Sequence, residues 1–265
     1  MGTSDPGMSW TTFLENAPPA DHAVQVYTEL DELATSVGRF LDAGFRAGEP
    51  AVVVATSDHW QAFRGELEQR GSKVDELQEQ GLLICRDAEE TLATFMDGDL
   101  PSAQRFDRAV GGLLDEVARR FRDRTIRAFG EMVDLLSQRG RQAAAIQLEE
   151  LWNRLLESRR CALLCAYELD LFDLDAQTSA LPEIIRAHTH PRPVADTARL
   201  AAAVHESLTD VLGSDATAGI YLRVAEDVPR TALPRAQAVL MWLSRHQPTT
   251  ARHVLQAARV RYAQA

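Results

Sequence analysis

The sequence predicts an α/β protein in which helices cover both faces of a mainly parallel sheet, followed by a small all-α helical module. Short runs rich in β-branched residues alternate with stretches of helical periodicity through the first two thirds of the chain. Strands separated by helices need crossover connections, and these produce parallel pairing. After Pro182 the strand pattern ends and only helical apolar stripes remain.

Five strands and six helices follow from these patterns. The predicted strands are 23–27, 51–55, 82–85, 126–129 and 162–167. The predicted helices are 30–46, 59–70, 88–96, 103–121, 132–137 and 142–156. Gly48, Gly71 and the run Thr56-Ser57-Asp58 supply the stop and cap residues that are typical of βα units.

Composition divides the chain into four segments. Prolines at 6, 18 and 19 predict that residues 1–20 form a flexible tail with one helical turn. We expect an α/β domain over 21–190, a helical connector over 191–229 and a pair of amphipathic helices over 230–265. The helical stripes of the second half consist of Leu200, Ala201, Val204, Leu208, Val211 and Leu212, of Leu233, Ala236, Val239, Leu240 and Leu243, and of Ala251, Val254, Leu255, Ala258 and Tyr262.

Composition also indicates a water-soluble, cytoplasmic protein. The chain has 265 residues, of which 45% are hydrophobic, and no apolar run approaches the roughly 18 residues that a membrane helix needs. The N-terminus lacks the basic-then-apolar pattern of a signal peptide. Cys85, Cys161 and Cys165 lie in apolar contexts without CxxC spacing, so we expect buried free thiols instead of a disulfide or a zinc site.

Charge is distributed unevenly along the chain. Residues 230–265 contain six arginines and no acidic residue, and because the whole chain carries −11, residues 1–229 carry −17. A compact basic segment attracts polyanions, whereas an acidic surface repels them. The basic segment therefore predicts either a nucleic-acid surface or a face that docks on an acidic partner, including the chain's own acidic body.

Familiar catalytic motifs are missing. The segment after Tyr27 reads Thr-Glu-Leu-Asp-Glu-Leu, which has no glycine to surround a phosphate, and Lys73, the only lysine, is outside a GK[ST] context. The sequence also lacks GxSxG, HExxH and the HxE with PCxxC pair. We expect neither enzymatic activity nor a cofactor or metal.

A few polar residues lie at positions where a ligand or a metal could bind. His188 and His190 flank Thr189 and could turn two imidazoles towards one metal, but without a neighbouring carboxylate or cysteine we expect an exposed pair in a linker. Glu131 follows a predicted strand at the carboxyl edge, where α/β sheets bind ligands, although it could equally be a solvated helix-start carboxylate. On the helix 142–156 we expect Glu149 and Glu150 to be solvated and Trp152 to lie in the core.

Five sequence blocks resemble the MEDS domain, a sensory domain of methanogen and methylotroph regulators. The blocks are His22-Ala-Val-Gln-Val-Tyr27, Ala-Gly-Glu-Pro-Ala-Val-Val-Val-Ala-Thr at 47–56, Arg127-Ala-Phe-Gly-Glu-Met-Val133, Leu148-Glu-Glu-Leu-Trp-Asn153 and Leu163-Leu-Cys-Ala-Tyr167. The resemblance covers roughly 20–190 and implies a RecA-like sheet without a P-loop that senses small molecules such as hydrocarbon derivatives. It implies a sensor pocket with the candidate residues His22, Tyr27, Glu131, Trp152 and Tyr167.

The basic segment resembles the ANTAR domain, the RNA-binding module of transcription antitermination regulators. The matching positions are Arg230, Leu233, Ala236-Gln-Ala-Val-Leu-Met241, Ala251, Leu255 and Ala258. The chain departs from the family pattern at Gln237 and Ala238, where Lys-Gly is usual, at Arg245, where glycine is common, and at Gln256, where arginine is frequent. The implied RNA contacts are Arg235, Ala238, Arg245, Arg252, His253, Gln256 and Arg259.

Together these patterns predict a regulator that senses a small molecule and binds RNA hairpins in transcription antitermination. Two alternatives stay open for the basic helices, namely docking on a protein partner in a partner-switching scheme and DNA binding as a helix-turn-helix. Dimerisation through Leu200, Val204, Leu208 and Val211 is as consistent with the pattern as packing of these residues within one chain.

Overall fold

The computed structural model describes residues 10–192, 194, 196–227 and 233–264, and it divides into two compact units. The first, the α/β unit, takes its described residues from Met1–Glu168 and Ala187–His190. The second, the helical unit, takes its described residues from Leu169–Arg186 and Pro191–Ala265. The predicted fold class is confirmed, since the structure contains a six-stranded sheet flanked by helices and a C-terminal helical region.

The main sheet has the strand order β3-β2-β6-β7-β1-β8. Its strands are β1 (His22–Tyr27), β2 (Ala51–Ala55), β3 (Leu83–Asp87), β6 (Ile126–Gly130), β7 (Cys161–Glu168) and β8 (His190–Arg192). The pairs β1–β7, β7–β6, β6–β2 and β2–β3 are all parallel. Helices cover both faces of such a sheet, which explains why β1, β2 and β6 are buried along their whole length.

Helices and one short hairpin connect these strands. The helices of this part of the chain are α1 (Trp10–Asn16), α2 (Leu30–Arg46), α3 (Ser57–Gln69), α4 (Val74–Glu79), α5 (Ala88–Phe95), α6 (Ala103–Phe106), α7 (Gly112–Arg120), α8 (Met132–Gln138) and α9 (Gln142–Leu156). A π-helical stretch, Asp107–Gly111, joins α6 to α7 within the single helix that the sequence predicted. The two-residue strands β4 (Met96–Asp97) and β5 (Leu100–Pro101) form a hairpin that the sequence did not predict.

The segment from Trp10 to Asn16 is a helix of the α/β unit, so the predicted helical turn is present, but it packs into the core and does not belong to a flexible tail. Phe13 and Leu14 are buried, and the Arg127 guanidinium donates hydrogen bonds to the carbonyl oxygens of Leu14, at 2.7 Å, and Glu15, at 3.0 Å. A buried guanidinium needs acceptors on all sides, and here helix α1 supplies two of them. The first nine residues of the predicted tail lie outside the described part.

The helical unit contains α11 (Thr197–Leu212), α12 (Ser214–Asp227), α13 (Arg235–His246) and α14 (Pro248–Gln264), together with most of α10 (Leu181–Ala187). Helix α11 packs against α13 and α14. Leu200, Val204 and Leu208 are buried in the helical unit, whereas Val211 is 37% exposed. One unit thus contains described residues of both the predicted connector 191–229 and the predicted module 230–265, and residues 169–186 also belong to it. Arg230 lies outside the described residues.

None of the helices in the described ranges combines the length and apolar composition that a bilayer crossing requires.

Candidate functional site

The five predicted pocket residues lie in three different places. Tyr27 and Glu131 lie at the carboxyl edge of the sheet, where β1 and β6 end. His22, at the amino end of β1, and Tyr167 belong to a separate polar cluster in the interior. Trp152 is buried, as expected, and packs edge-on against Phe106 with ring centroids 5.3 Å apart.

The carboxyl-edge cluster consists of polar residues at or just beyond the ends of four parallel strands. Its members are Tyr27, Thr56, His59, Glu131, Asp134, Gln138 and Glu168. In open α/β sheets, this edge is where ligands bind. The sequence analysis named Tyr27 and Glu131 as pocket candidates but missed the others, which lie at the end of β7, on α3 and α8, or just before α3.

Glu131 is a buried residue that follows β6 and contacts the residue after β2. One carboxylate oxygen, Oε1, accepts a hydrogen bond from the Thr56 backbone N–H, and Oε2 pairs with Nδ1 of His59. Glu131 is 2% exposed, so it is not the solvated carboxylate of the open alternative. The hydrogen bond to Glu131 raises the pKa of His59 above its usual value, although partial burial opposes the shift.

Asp134 is the second buried carboxyl of this cluster. Its Oδ1 accepts from the Glu168 backbone N–H at 3.2 Å, and its Oδ2 accepts from Nε2 of Gln138 at 3.0 Å and from the Tyr27 hydroxyl at 3.5 Å. Burial raises the pKa of Asp134 to about 7, helped by the negative charges of Glu131 and Glu168 and opposed by the backbone hydrogen bond. Burial likewise raises the pKa of Tyr27.

The carboxyl-edge cluster has both exposed and buried members. Gln138 and Glu168 are exposed, and the His59 side chain is 21% exposed, whereas Tyr27, Glu131 and Asp134 are buried. The cluster combines a hydroxyl, an imidazole and carboxyl oxygens. This arrangement can bind a hydrogen-bond donor, and the protonation state of Asp134 changes near pH 7.

A second cluster, the buried tetrad, consists of His22, Glu149, Cys165 and His188. One ligand-type atom from each residue lies within 4.8 Å of the other three. Nε2 of His22 is 3.2 Å from the Cys165 sulfur and 3.4 Å from Oε2 of Glu149, and Nε2 of His188 is 3.5 Å from Oε1 of Glu149. All four residues are buried.

Secondary structure brings these four residues together. His22 begins β1, Cys165 lies on the adjacent strand β7, and Glu149 is on α9. His188 precedes Thr189, whose backbone N–H donates to the carbonyl of His22 at 2.7 Å and whose hydroxyl accepts from the His22 N–H at 3.0 Å. Residues 187–190 are thereby fastened to the amino end of β1.

Burial disfavours the charged forms of His22, Glu149 and Cys165 when the tetrad holds no ion. It lowers the pKa of His22 to about 3, so the contact between His22 and Glu149 is not an ion pair at neutral pH. Burial also raises the pKa of Glu149 and of Cys165 above their usual values. The Tyr167 hydroxyl donates to Oε1 of Glu149 at 2.6 Å.

Two sequence expectations about these residues were wrong. Glu149 is 3% exposed, not solvated, because it shares the inward face of α9 with Leu148 and Trp152. Its position within that apolar stripe is the sequence feature that could have predicted its burial. His188 and His190 are both buried and point to different partners, since Nε2 of His190 contacts Oδ2 of Asp21 at 2.8 Å. The expected free thiols are present, with Cys161 and Cys165 buried and Cys85 half-buried.

The predicted RNA-binding residues lie on α13 and α14 of the helical unit. Arg245, Arg252, His253, Gln256 and Arg259 are exposed, whereas Ala238 is 7% exposed and packs inside. Arg235 is exposed at the start of α13 and stacks its guanidinium on Tyr221 at 5.2 Å.

Comparison with known proteins assigns the family. No curated protein sequence matches the chain significantly. The family model described as MEDS, the MEthanogen/methylotroph, DcmR Sensory domain, matches residues 21–189. This range contains both polar clusters and more than half of the chain, and the chain therefore belongs to the MEDS family of sensory domains.

Proposed function

We propose that this protein is a regulator whose α/β unit binds a small polar molecule at the carboxyl-edge cluster, without turning it over, and whose C-terminal helices bind RNA in transcription antitermination. The observation that carries the sensing half is the position of Tyr27, His59, Glu131 and Asp134 at the ligand-binding edge of the sheet. Membership of a sensory-domain family supports the same role.

The chemistry of the carboxyl-edge cluster favours a ligand that donates hydrogen bonds. The residues that follow β1 include Glu29 and, in the first turn of α2, Asp31 and Glu32, and they contain no glycine, so they repel phosphate groups. The carboxyl groups of Glu131, Asp134 and Glu168 lie at this edge instead. A neutral or cationic molecule with hydroxyl or amino groups fits these acceptors better than an anion does.

The RNA half rests on the surface of α14. Its apolar residues Ala251, Val254, Leu255 and Ala258 are buried, which leaves Arg252, His253, Gln256 and Arg259 on the exposed side. Arg259 pairs with Asp170 at 2.5 Å, whereas Arg245 and Arg252 form no ion pair with any residue in the described ranges. Two unpaired guanidinium groups on adjoining helices are available for phosphates.

Filter binding of the full-length chain to a library of stem–loop RNAs tests the RNA half. We expect the wild type to bind at low salt and to lose affinity steeply as salt rises, because bound phosphates release counterions. The substitutions Arg245→Ala and Arg252→Ala should each weaken binding and reduce the salt slope by about 1. Arg223→Ala, which removes an exposed arginine of α12, is the matched control and should bind like the wild type.

Other outcomes identify the alternatives. If no RNA is bound at low salt, antitermination fails as the output of this chain. Preferential binding of duplex DNA would instead assign a helix-turn-helix role, and capture of an acidic protein through Arg252 would assign partner switching.

Ligand-observed NMR with a library of small polar metabolites tests the sensing half. Compounds that bind the wild type should bind Glu131→Gln more weakly or not at all, because this change removes the negative charge beside His59 and leaves one acceptor oxygen in place of two. They should still bind Arg223→Ala. Equal binding to the wild type and to Glu131→Gln would remove the carboxyl-edge cluster from the sensing role.

A further inference from the structure

We propose that the buried tetrad of His22, Glu149, Cys165 and His188 is a binding site for one zinc ion. This inference does not depend on the identity of the sensed molecule or on the RNA-binding role. It concerns the end of β1 opposite to the proposed ligand site.

The spacing of the ligand atoms fits a tetrahedral ion. Ligand atoms that lie 2.0 to 2.3 Å from zinc are separated from one another by about 3.3 to 3.6 Å. Nε2 of His22 lies 3.2 Å from the Cys165 sulfur and 3.4 Å from Oε2 of Glu149, and Nε2 of His188 lies 3.5 Å from Oε1, the other oxygen of the same carboxylate. With one ligand atom from each residue, all four lie within 4.8 Å of one another. Small side-chain adjustments are enough to place all four around one centre.

The hydrogen bonds around His22 point its free lone pair into the tetrad. Nδ2 of Asn153 donates to the carbonyl oxygen of Ala187 at 3.1 Å, which fixes the amide orientation and turns Oδ1 towards Nδ1 of His22, 2.9 Å away. Nδ1 must therefore carry the proton, and Nε2 is left as an acceptor. Metal-binding histidines are held in this way by an acceptor on the outer ring nitrogen.

The carboxylate of Glu149 is oriented similarly. The Tyr167 hydroxyl donates to Oε1, whereas Oε2 accepts no hydrogen bond from any residue in the described part of the chain. The nearest nitrogen is Nε2 of His22 at 3.4 Å, and it has no proton to donate in the tautomer fixed by Asn153. A buried acceptor without a donor is costly, and a cation between Oε2 and Nε2 removes that cost.

The donor set selects the kind of metal. Two imidazoles, a thiolate and a carboxylate suit zinc and related transition metals, whereas magnesium and calcium prefer oxygen ligands alone. Zinc bound to the ionised forms of Cys165 and Glu149 is neutral overall, which suits a buried position. Four protein ligands leave no coordination position for substrate, so the site is structural in type. On binding, the Cys165 thiol gives its proton to solvent and forms a Zn–S bond.

A metal at this position would join four segments of the chain. It would link β1, β7 and α9 to residues 187–190, which already contact β1 through Thr189. These residues connect two stretches of the helical unit, Leu169–Arg186 and Pro191–Ala265. The ion would therefore anchor the segment 187–190 within the α/β unit.

Metal analysis of the full-length chain tests the proposal. After purification without chelator, we expect one zinc per chain, and the metal-free protein should bind zinc with a Kd in the nanomolar range or tighter. Cys165→Ala and His188→Gln should each weaken binding at least about tenfold. The matched controls are Cys161→Ala, a buried cysteine on the same strand, and His190→Gln, the other histidine of the pair; both should keep one zinc.

Cobalt substitution keeps the test decisive if a variant fails to fold. Cobalt bound to the wild type should give a sulfur-to-metal charge-transfer band and the strong visible bands of tetrahedral geometry. Absence of stoichiometric metal, one equivalent of a different metal, loss of zinc in Cys161→Ala or a cobalt spectrum without the thiolate band would each overturn the proposal.

Discussion

Strand β1 is six residues long and has a polar cluster at each end, and the two clusters differ in chemistry and in access to solvent. At the amino end, His22 lies among a thiol, a carboxyl and a second imidazole, all of them buried. At the carboxyl end, Tyr27 lies among carboxyls, an amide and the half-buried His59. His22 and Tyr27 are five residues apart, so their side chains point to opposite faces of the sheet.

The two histidines illustrate what this difference means. Burial lowers the pKa of His22 to about 3, whereas the hydrogen bond to Glu131 raises the pKa of His59. A neutral imidazole suits a metal ligand, and an imidazole that gains a proton beside carboxylates suits a responsive ligand site. The same residue type therefore takes a structural role at one end of the strand and a responsive role at the other.

Among the predicted changes, metal removal should lower the free energy of unfolding the most. With free zinc about a thousandfold above its Kd, the ion should stabilise the wild type by about 4 kcal/mol, which a chelator removes. Urea unfolding with and without chelator measures this loss. Chelator should destabilise Cys165→Ala less than the wild type, by at least about 1.4 kcal/mol, whereas Asp134→Asn, at the other end of β1, should respond like the wild type. An equal response of Cys165→Ala and the wild type would mean that the tetrad is not where the metal acts.

The pH dependence of Asp134 should be the next largest effect. Its pKa is raised on folding from 3.8 to about 7, so its contribution to stability is complete below the lower value and is lost as the pH rises through 7. Asp134→Asn cannot ionise, and between pH 5.5 and 8 the wild type should lose about 1 to 2 kcal/mol of unfolding free energy relative to this variant.

Urea unfolding of both proteins at the two pH values measures this difference. Asp58→Asn, a change at an exposed carboxylate in the first turn of α3, is the control and should track the wild type. A difference between wild type and Asp134→Asn that does not change with pH would show that Asp134 ionises like an exposed carboxylate.

The protonation of His59 should have the smallest effect on the free energy of unfolding. Its pKa, compared with that of His22, gives the most direct contrast between the two ends of β1. The folded pKa of His59 is raised, so its stabilising pair with Glu131 is present below about pH 6.5 and is lost as the pH rises through the folded pKa. Because His59 is partly exposed, His59→Gln should cost only about 0.5 kcal/mol at pH 6.

NMR titration of the metal-free protein should record both histidines. His59 should titrate with a midpoint above the ordinary value, and His22 should stay neutral from pH 5 to 8. If His22 gains a proton in that range, the tetrad is open to water and the contrast between the two ends is lost.

Hydrophobic periodicity was enough to predict most of the α/β unit. The predicted bounds of α2, β2 and α9 agree with the structure because each segment has a clear apolar period and is bounded by turn or cap residues. Helix α1 was predicted only as one turn of a flexible tail because prolines flank it at 6, 18 and 19, whereas Phe13 and Leu14 are buried in the core. Tertiary contacts decided that segment, and they are not visible in a local pattern.

The polar clusters were less predictable for the same reason. Glu131 could be found because it follows a strand at the ligand-binding edge, but Asp134 and His59 look like ordinary polar helix residues until the strands place them together. The tetrad has no local motif, since His22 is separated from Glu149 by more than a hundred positions. Only the sheet register and the return of residues 187–190 to β1 bring its ligands together.

Anomalous diffraction at the zinc absorption edge is the most direct test of this division between the two ends of β1. In crystals of the full-length protein purified without chelator, we predict one strong peak about 2.0 to 2.3 Å from Nε2 of His22, Nε2 of His188, a Glu149 carboxylate oxygen and the Cys165 sulfur. The carboxyl-edge cluster should have no such peak. An absent peak, or one beside Glu131 and Asp134, would contradict the assignment of the metal to the amino end.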